Sequence, residues 1–231
     1  MLKIQNKIGV HQKTSGIDSY KWCRNKNYYK NYEKEISYLY NSKGFRDKEW
    51  PKDLSKVIWC VGDSFTVGIG QPFDETWPQL LQKATGKRCI NVAEDGCSND
   101  VIAKRIKKIH KLYKPKSIVV MWSYLHRRQN KHYDKTDFGL KEDLKNFKKN
   151  YNVTKSLNSN FIHLLIPNAF IQDVKKQEYF FKKNKIKNIH GFKQIDYGRD
   201  YHHFGLKTSK KICAYVAKKI KDFDKRSKYV I

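Results

Sequence analysis

From residue 57 onwards, short apolar runs alternate with longer segments of helical periodicity, and this alternation constrains the fold more than any other feature. Runs of strand length predict four buried strands: Val57–Val61, Lys87–Val92, Ile118–Trp122 and Phe161–Ile166. Helical periodicity predicts four helices: Glu75–Ala84 opened by Asp74, Ser98–Leu112 with Ser98 as N-cap, Leu140–Leu157 and Gly205–Lys221. Such alternation is typical of a parallel sheet covered by helices on both faces.

The chain divides into two regions by its pattern. Residues 1–45 are polar and tyrosine-rich, with a short helix predicted around Tyr32–Leu39, and are interpreted as an N-terminal extension. Residues 46–231 are predicted to form a single domain, because the whole chain of 231 residues fits one domain of α/β size.

Several protein classes do not fit this sequence. Apolar residues make up 39% of the chain, and no apolar run approaches the roughly 18 residues of a membrane-spanning helix. The first ten residues lack the apolar core of a signal peptide, so we expect a cytoplasmic protein. The five cysteines are odd in number, widely spaced and without a Cys-x-x-Cys pair, which predicts reduced thiols and neither a disulfide framework nor a zinc site.

The net charge is strongly positive. The 49 Lys and Arg residues outnumber the 22 Asp and Glu residues, and the formal charge of +27 is of the kind found in proteins that bind nucleic acid. The lysines are spread over nearly every segment instead of forming one basic block, as expected for a solvated surface. Nucleic acid is therefore a partner that the sequence allows but does not favour.

The stretch GDSFTVG, residues 62–68, places a serine directly after the first predicted strand. In a parallel α/β sheet, ligands bind beyond the carboxyl ends of the strands, so Ser64 would present its hydroxyl to the binding crevice. The N–H groups that follow at the start of a helix could stabilise an anion there. The alternative is that Asp63 or Ser64 only caps a helix, as these residue types often do.

A candidate base for Ser64 lies near the end of the chain, in the stretch RDYHHF at residues 199–204. A nucleophilic serine needs a base, and the base needs a carboxylate to orient it. Asp200 and His203 are three residues apart, so a compact loop can hold the carboxylate against one ring nitrogen and leave the other nitrogen for the serine. His202 has the less suitable spacing and is assigned no role.

Together these segments resemble the SGNH hydrolases, also called the GDSL lipase and esterase superfamily. GDSFTVG is similar to the nucleophile block, NVAEDGCS at 91–98 to the second block, and DYHH at 200–203 to the final D-x-x-H block. NSKGFR at 41–46 resembles a segment found upstream of the nucleophile in some members. The blocks occur in the order of the superfamily, and the resemblance covers roughly residues 41–220.

The resemblance implies a fold, an activity and a set of site residues. The fold is α/β, a three-layer α/β/α, flavodoxin-like arrangement with a parallel sheet of about five strands, and the activity is hydrolysis of a carboxylic ester. Ser64 would be the nucleophile and His203 the base, oriented by Asp200, with the backbone N–H groups of Ser64 and Gly96 as oxyanion donors. No metal or organic cofactor is required, and the expected partner is a small-molecule, glycan or lipid ester.

One block departs from the pattern of the superfamily. The third strand is usually followed by G-x-N-D, whose Asn completes the oxyanion hole, but here residues 118–122 run into SYLHRR. Losing one such donor typically lowers turnover by about 100-fold to 1000-fold. Asn99, at the start of a predicted helix, is the candidate replacement, with helix capping as its alternative role. Ser123 and Tyr124 are competing sources of a donor hydroxyl.

Two hypotheses from other classes remain open. The missing Asn favours a catalytically weak or inactive SGNH-like module that binds a carbohydrate or a protein. The charge favours a protein associated with nucleic acid. Labelling by a fluorophosphonate separates the esterase from the binding module, because only an activated serine reacts, and a steep salt dependence of nucleic-acid retention would support the third class.

Overall fold

The structure is a computed structural model that describes residues 2–127 and 139–227. These residues contain the strands β1 His11–Gln12, β2 Tyr38–Leu39, β3 Ile58–Val61, β4 Cys89–Asn91, β5 Ser117–Trp122, β6 Asn160–Leu165 and β7 Ile189–His190. They also contain the helices α1 Lys26–Lys30, α2 Ser64–Val67, α3 Trp77–Thr85, α4 Asn99–Tyr113, α5 Gly139–Lys155, α6 Ile171–Lys183 and α7 Leu206–Ser227. Short 3₁₀ helices cover Gln5–Lys7 and Phe73–Glu75.

Five of the strands form a parallel sheet in the order β4-β3-β5-β6-β7. Alternate side chains enter different cores: Trp59 and Val61 face one, and Ile58 and Cys60 face the other. Helices α4, α5 and α6 cover the first face, and α3 and α7 cover the second. Because both faces are covered, the central strands β3 and β5 are apolar at successive positions. The predicted three-layer α/β/α fold with five parallel strands is confirmed.

Helix α4 illustrates how the sequence pattern produces this packing. Ile102, Ile106 and Ile109 are spaced by four and three residues, so they share one helix face, and all three are buried. Burying each of them stabilises the fold by about 1.5–3 kcal/mol relative to an exposed position. Ser98 is the N-cap, as predicted, and its hydroxyl accepts a hydrogen bond from the Val101 N–H. Within the described segments, no helix is long and apolar enough to cross a membrane.

Helix α3 begins later than the sequence predicts. It starts at Trp77 instead of Glu75, and Asp74 lies in the preceding 3₁₀ helix without capping α3. Thr76 occupies the N-cap position, and Pro78 follows within the first turn. Proline favours the first turn of a helix, because its fixed φ suits that turn and its missing N–H has no partner there. Pro78 therefore accounts for the later start.

The helix predicted around Tyr32–Leu39 is wrong. Tyr38–Leu39 forms β2, which pairs with β1 in a small antiparallel sheet, and the helix of this region lies earlier, at Lys26–Lys30. Tyr38 is fully buried, and its hydroxyl donates to Asp18. A buried tertiary contact thus overrides the local pattern. Helix α6 and strand β7 were not predicted.

The N-terminal extension packs on the carboxyl-end side of the main sheet. Ile36 and Tyr38 form a small buried cluster with Val67 and Ile69, which belong to α2 and the turn after it. Phe45, the last residue of the extension, is buried in the core on the α4 face of the sheet. The extension therefore lies against the segment that carries Ser64.

Candidate active site

Ser64 lies in the turn between β3 and α2, of which it is the first helical residue. Asp63 is the N-cap, and its Oδ1 accepts a hydrogen bond from the Phe65 N–H at 3.1 Å. The turn is tight, because a Cβ at Gly62 would lie 2.2 Å from Oγ1 of Thr66. Glycine is therefore required at position 62. This turn places Ser64 beyond the carboxyl end of β3, where the sequence predicts a site.

Ser64, His203 and Asp200 are joined by one chain of hydrogen bonds. Ser64 Oγ lies 2.8 Å from His203 Nε2, and His203 Nδ1 lies 2.5 Å from Asp200 Oδ2. An ionised carboxylate only accepts, so the Nδ1–H of His203 donates to Asp200 and Nε2 is left to accept from the Ser64 hydroxyl. All three side chains are buried, which strengthens each of these bonds.

Asp200 also organises the loop that carries His203. Its Oδ1 accepts hydrogen bonds from the main-chain N–H groups of His202 and His203, each at 3.0 Å. Burial alone would raise the pKa of Asp200, but the hydrogen bond and charge of His203, together with the two backbone donors, outweigh burial and lower that pKa. Asp200 is therefore ionised near neutral pH, in the form that stabilises a protonated imidazole.

The N–H groups of Ser64 and Gly96 have no hydrogen-bond acceptor within the described ranges. Gly96 has a φ of +70°, in the left-handed region that favours glycine. It lines a shallow pocket of about 390 Å³, called here the Gly96 pocket, together with Arg24, Tyr124, His126, Arg127 and His202. The rings of Tyr124 and His202 both contact Phe65, the residue after Ser64. The pocket thus lies beside the turn that carries Ser64.

Asn99 is held by the main chain that follows β5. Its Nδ2 donates to the carbonyl oxygens of Ser123 and Tyr124 at 3.1 and 3.0 Å, and its Oδ1 accepts from the Ser123 N–H at 2.9 Å. Both amide hydrogens are therefore engaged, and Asn99 is not among the residues that line the Gly96 pocket. Ser98, not Asn99, supplies the helix cap. This geometry favours a positioning role for Asn99 over the oxyanion role expected from the sequence.

The segment after β5 is also hydrogen-bonded to the Ser64 turn through Asp63. Ser123 Oγ donates to Asp63 Oδ2 at 2.7 Å, and Arg127 Nη1 donates to the same oxygen at 2.9 Å. Burial raises the pKa of Asp63, although the charge of Arg127 and the hydroxyl of Ser123 counter part of the rise. The Ser123 hydroxyl proton is thus used by Asp63, whereas Tyr124 stands edge-on to Phe65 at the pocket wall.

Arg46 supports the Ser64 turn from another side. Its buried guanidinium donates to the carbonyl oxygens of Gly68 at 2.5 Å, Gln71 at 2.8 Å and Ser37 at 2.9 Å. Gly68 is the C-cap of α2, so Arg46 fixes the end of the helix that begins with Ser64. Asn41 closes the tight turn that leads to Arg46 by accepting two main-chain hydrogen bonds. The NSKGFR segment therefore acts as a support of the site.

The N-terminal extension reaches the loop that carries Asp200 and His203. Asp18 is fully buried and accepts from Arg199 Nε at 2.9 Å and from Arg199 Nη2 at 2.8 Å. Tyr38 donates to the same carboxylate. The main-chain N–H of Arg24 donates to the carbonyl oxygen of Asp200 at 3.0 Å. Asp18, Arg24 and Arg127 belong to no sequence motif, so sequence reasoning missed them.

The rest of the described structure offers no comparable constellation. A groove of about 1050 Å³ lies at the amino ends of β3, β5 and β6, opposite the triad, and its basic side chains are Lys56, Lys87, Arg88, His110, Lys111, Lys114 and Lys116. None of the triad residues lines it. In residues 2–127 and 139–227, no group of three His, Cys, Asp or Glu residues is placed to hold a metal ion.

Comparisons with known proteins identify the fold. No protein-family model and no curated protein matches the chain. Among solved structures, it is similar to the psychrotrophic esterase EstA from a Pseudoalteromonas species, inhibited by monoethylphosphonate, with a TM-score of 0.52, 16% identity, and coverage of 73% of this chain and 98% of that one. The corresponding values for TesA are 0.52, 14%, 72% and 98%.

A third similar structure is the carbohydrate esterase family 2 enzyme, with a carbohydrate-binding domain, from Corynascus thermopiles (Myceliophthora fergusii). Its TM-score is 0.52 at 14% identity, and the match covers 80% of this chain and 70% of that one. At such identities the likeness concerns the fold, and the layers and parallel sheet described above agree with it. The chain therefore has the fold of the SGNH hydrolases.

Proposed function

We propose that this protein is a serine ester hydrolase in which Ser64 is the nucleophile, His203 the general base and Asp200 the residue that orients it. The observation that carries the proposal is the buried hydrogen-bond chain, with 2.8 Å between Ser64 and His203 and 2.5 Å between His203 and Asp200. A nucleophile, a base and an orienting carboxylate within hydrogen-bond reach form the arrangement that activates a serine hydroxyl.

Acylation follows from this geometry. As Ser64 Oγ attacks the ester carbonyl carbon, His203 Nε2 takes the hydroxyl proton, and Asp200 stabilises the imidazolium through Nδ1–H. The carbonyl oxygen becomes an oxyanion, which the N–H groups of Ser64 and Gly96 would stabilise. When the tetrahedral intermediate collapses, His203 returns its proton to the leaving alcohol, and the acyl group stays on Ser64.

Deacylation repeats these steps with water as the nucleophile. His203 takes a proton from the water, the hydroxide attacks the acyl carbon, and the same two N–H groups stabilise the second oxyanion. The collapse returns a proton to Ser64 and releases the carboxylic acid. Apart from the water, the catalytic groups in this scheme all belong to the chain. The substrate class is a small-molecule, glycan or lipid ester.

The oxyanion site differs from the pattern of the superfamily. The amide of Asn99 donates to main-chain carbonyl oxygens, and the hydroxyl of Ser123 donates to Asp63. The oxyanion would therefore have two donors, the main-chain N–H groups of Ser64 and Gly96. Because one missing donor lowers turnover by about 100-fold to 1000-fold, we expect a slow esterase. The same observation favours the second candidate, an SGNH-like module that binds a carbohydrate or a protein without hydrolysing it.

Labelling with a fluorophosphonate distinguishes these two functions. The proposal predicts stoichiometric labelling of the wild-type protein, no labelling of Ser64→Ala, and normal labelling of Ser209→Ala. Ser209 is a suitable control because its hydroxyl is also buried and hydrogen-bonded, to Gln71, but it belongs to α7. Absence of labelling in a folded wild-type protein would favour the binding module and refute the esterase.

A further inference from the structure

The Gly96 pocket contains one charged residue that comes from the N-terminal extension. Arg24 lines the pocket together with Gly96 and three rings, those of Tyr124, His126 and His202. Its main-chain N–H donates to the carbonyl oxygen of Asp200 at 3.0 Å, so the backbone of Arg24 is fixed to the loop of the base. The next residue, Asn25, is the N-cap of α1, and its side chain accepts a hydrogen bond from the Tyr28 N–H.

Further contacts hold this part of the extension in place. Tyr28 donates to the carbonyl oxygen of Tyr197 at 3.0 Å, and its ring packs on Tyr201, in the same loop as Asp200. Cys23, directly before Arg24, is buried. Arg24 therefore sits on a segment that is anchored on both sides, and its side chain is exposed at the pocket.

The two arginines of the pocket differ in their charge balance. The Arg127 guanidinium lies 2.9 Å from the carboxylate of Asp63, which compensates its charge. Arg24 forms no ion pair with any acidic side chain in the described segments, and none of the residues that line the pocket is acidic. The uncompensated positive charge of the pocket is thus that of Arg24.

Arg24 lies on the side of the site where the alcohol part of an ester would bind. In the proposed mechanism the leaving alcohol takes its proton from His203, so the alcohol part must lie next to the loop of residues 200–203. The main-chain N–H of Arg24 is hydrogen-bonded to that loop. Burial, with smaller contributions from the charges of His203 and Arg24, lowers the pKa of His202 to about 4. His202 is consequently neutral near pH 7 and adds no charge of its own.

We propose that Arg24 makes the enzyme selective for esters whose alcohol part carries a negative charge. This inference rests on the proposed esterase function. Arg24 is exposed, so its attraction for a substrate anion is comparable to that of a surface ion pair and weakens as salt is added. The ring-lined walls suit an alcohol part that is itself a ring.

Matched phenyl esters test the inference. The alcohol-side pair is 4-acetoxybenzoate, which is anionic, and its neutral methyl ester. The acyl-side pair is mono-4-nitrophenyl adipate, whose carboxylate is too distant for rapid anhydride closure, and its neutral methyl ester. For each pair, the ratio of kcat/KM for the anionic ester to that for the neutral ester is measured at low ionic strength in the wild type and in Arg24→Gln. Comparing the ratio between proteins removes the intrinsic difference in reactivity of the esters.

We expect the alcohol-side ratio to fall about twofold to fivefold in Arg24→Gln, and to be largely restored in Arg24→Lys, which keeps the charge. The acyl-side ratio should change less. Lys83→Gln is the charge-matched control, since Lys83 is exposed on the C-terminal half of α3 and does not line the pocket. An unchanged alcohol-side ratio in Arg24→Gln, an equal fall in Lys83→Gln, or a fall confined to the acyl-side pair would each overturn the inference.

Failure of the esterase proposal has a different signature. If the wild-type protein neither reacts with the fluorophosphonate nor hydrolyses the neutral esters, the esterase function and the selectivity both fail. If it reacts at Ser64 and hydrolyses the neutral esters while the ratios of wild type and Arg24→Gln agree, only the role of Arg24 is refuted. Raising the ionic strength should reduce the wild-type preference towards that of Arg24→Gln.

Discussion

Asp18 and Arg199 lie 181 positions apart in the sequence and form an ion pair through two nitrogens of the guanidinium, with the carboxylate buried and the arginine partly exposed. Arg199 directly precedes Asp200, so this pair joins the N-terminal extension to the loop of the proposed triad. The carboxylate of Asp18 is fully buried and also accepts from Tyr38. The extension is therefore a structural part of the site.

Replacing Asp18 should destabilise the fold strongly. Asp18→Ala leaves the partly exposed Arg199 guanidinium and the buried Tyr38 hydroxyl without their shared acceptor, at a cost of about 1–3 kcal/mol. Urea denaturation of both proteins measures the loss. The control is Asp224→Asn in the exposed pair with Lys87, which should cost less than about 1 kcal/mol. Equal losses in the two variants would contradict the importance given to the Asp18–Arg199 pair.

The triad variants should differ sharply from a neighbouring histidine variant. Ser64→Ala, His203→Ala and Asp200→Ala should each lower hydrolysis of a short-chain aryl ester by about 10⁴-fold or more while the protein stays folded. His202→Ala should keep most of the activity, because the ring of His203, not that of His202, lies between Ser64 and Asp200. Initial rates and circular dichroism check both parts, and an inactive His202→Ala would shift the assigned base by one position.

Asn99→Ala should affect stability more than chemistry. The substitution removes three hydrogen bonds to the backbone of residues 123 and 124 and leaves buried polar groups unpaired, at a cost of about 1–3 kcal/mol. We expect a lower Tm and a modest change in kcat. Ser98→Ala, which removes the cap of the same helix, is the reference at about 1 kcal/mol. An unchanged Tm with kcat reduced 100-fold would instead support Asn99 as an oxyanion donor.

His163 should make the protein sensitive to acid. Its side chain is buried, Trp122 Nε1–H donates to its Nδ1 at 3.2 Å, and burial lowers its pKa to about 3. Between pH 6.5 and pH 3 the unfolded chain binds this proton more readily than the folded one, so stability falls as pH falls. From pH 6.5 to pH 5 this residue accounts for roughly 1.5–2 kcal/mol.

The measurement is urea denaturation of wild type and His163→Gln across that pH range. The variant should lose less stability on acidification, whatever its stability at pH 7. His11→Gln serves as the control, because His11 is exposed. Parallel pH profiles for wild type and His163→Gln would disprove the role assigned to His163.

The cysteines should be unreactive in the folded protein. All five are free and buried, and burial raises the pKa of the Cys60, Cys97 and Cys213 thiols. A thiol reagent such as Ellman's should therefore react slowly until urea unfolds the chain, and a non-reducing gel should give one monomeric band. Rapid native labelling of several thiols would show that the interior opens easily.

The sequence predicted the layers of the fold well, because alternating strands and amphipathic helices leave a strong periodic signal. The positions of Ile102, Ile106 and Ile109 alone define the buried face of α4. The start of α3 and the fate of Tyr38 could not be predicted from that signal. Pro78 acts through the geometry of one turn, and Tyr38 is governed by a buried contact with Asp18.

In the candidate site, too, some residues could be predicted from the sequence and others could not. Ser64, Asp200 and His203 stand in recognisable motifs, whose chemistry requires those residue types at those spacings, and the structure brings the three together. Arg24 and Arg127 belong to no motif, because each acts only through neighbours that are distant in the sequence. The hydrogen-bond pattern of Asn99 depends on which backbone groups the fold presents to it, and no sequence pattern carries that information.

The supports of Ser64 and its base lie at very different sequence distances from it. Arg46, which holds the end of α2, precedes Ser64 by 18 positions, whereas His203 follows it by 139. Closing a short loop costs less entropy than closing a long one, and distant contacts form slowly. During refolding, the contacts around β3 and α2 should therefore form before His203 reaches Ser64. We expect the fluorescence change that accompanies burial of Trp59, in β3, to precede the return of fluorophosphonate reactivity at Ser64. The delay between the two signals would measure how late in refolding the C-terminal third of the chain, which carries His203, docks on the rest.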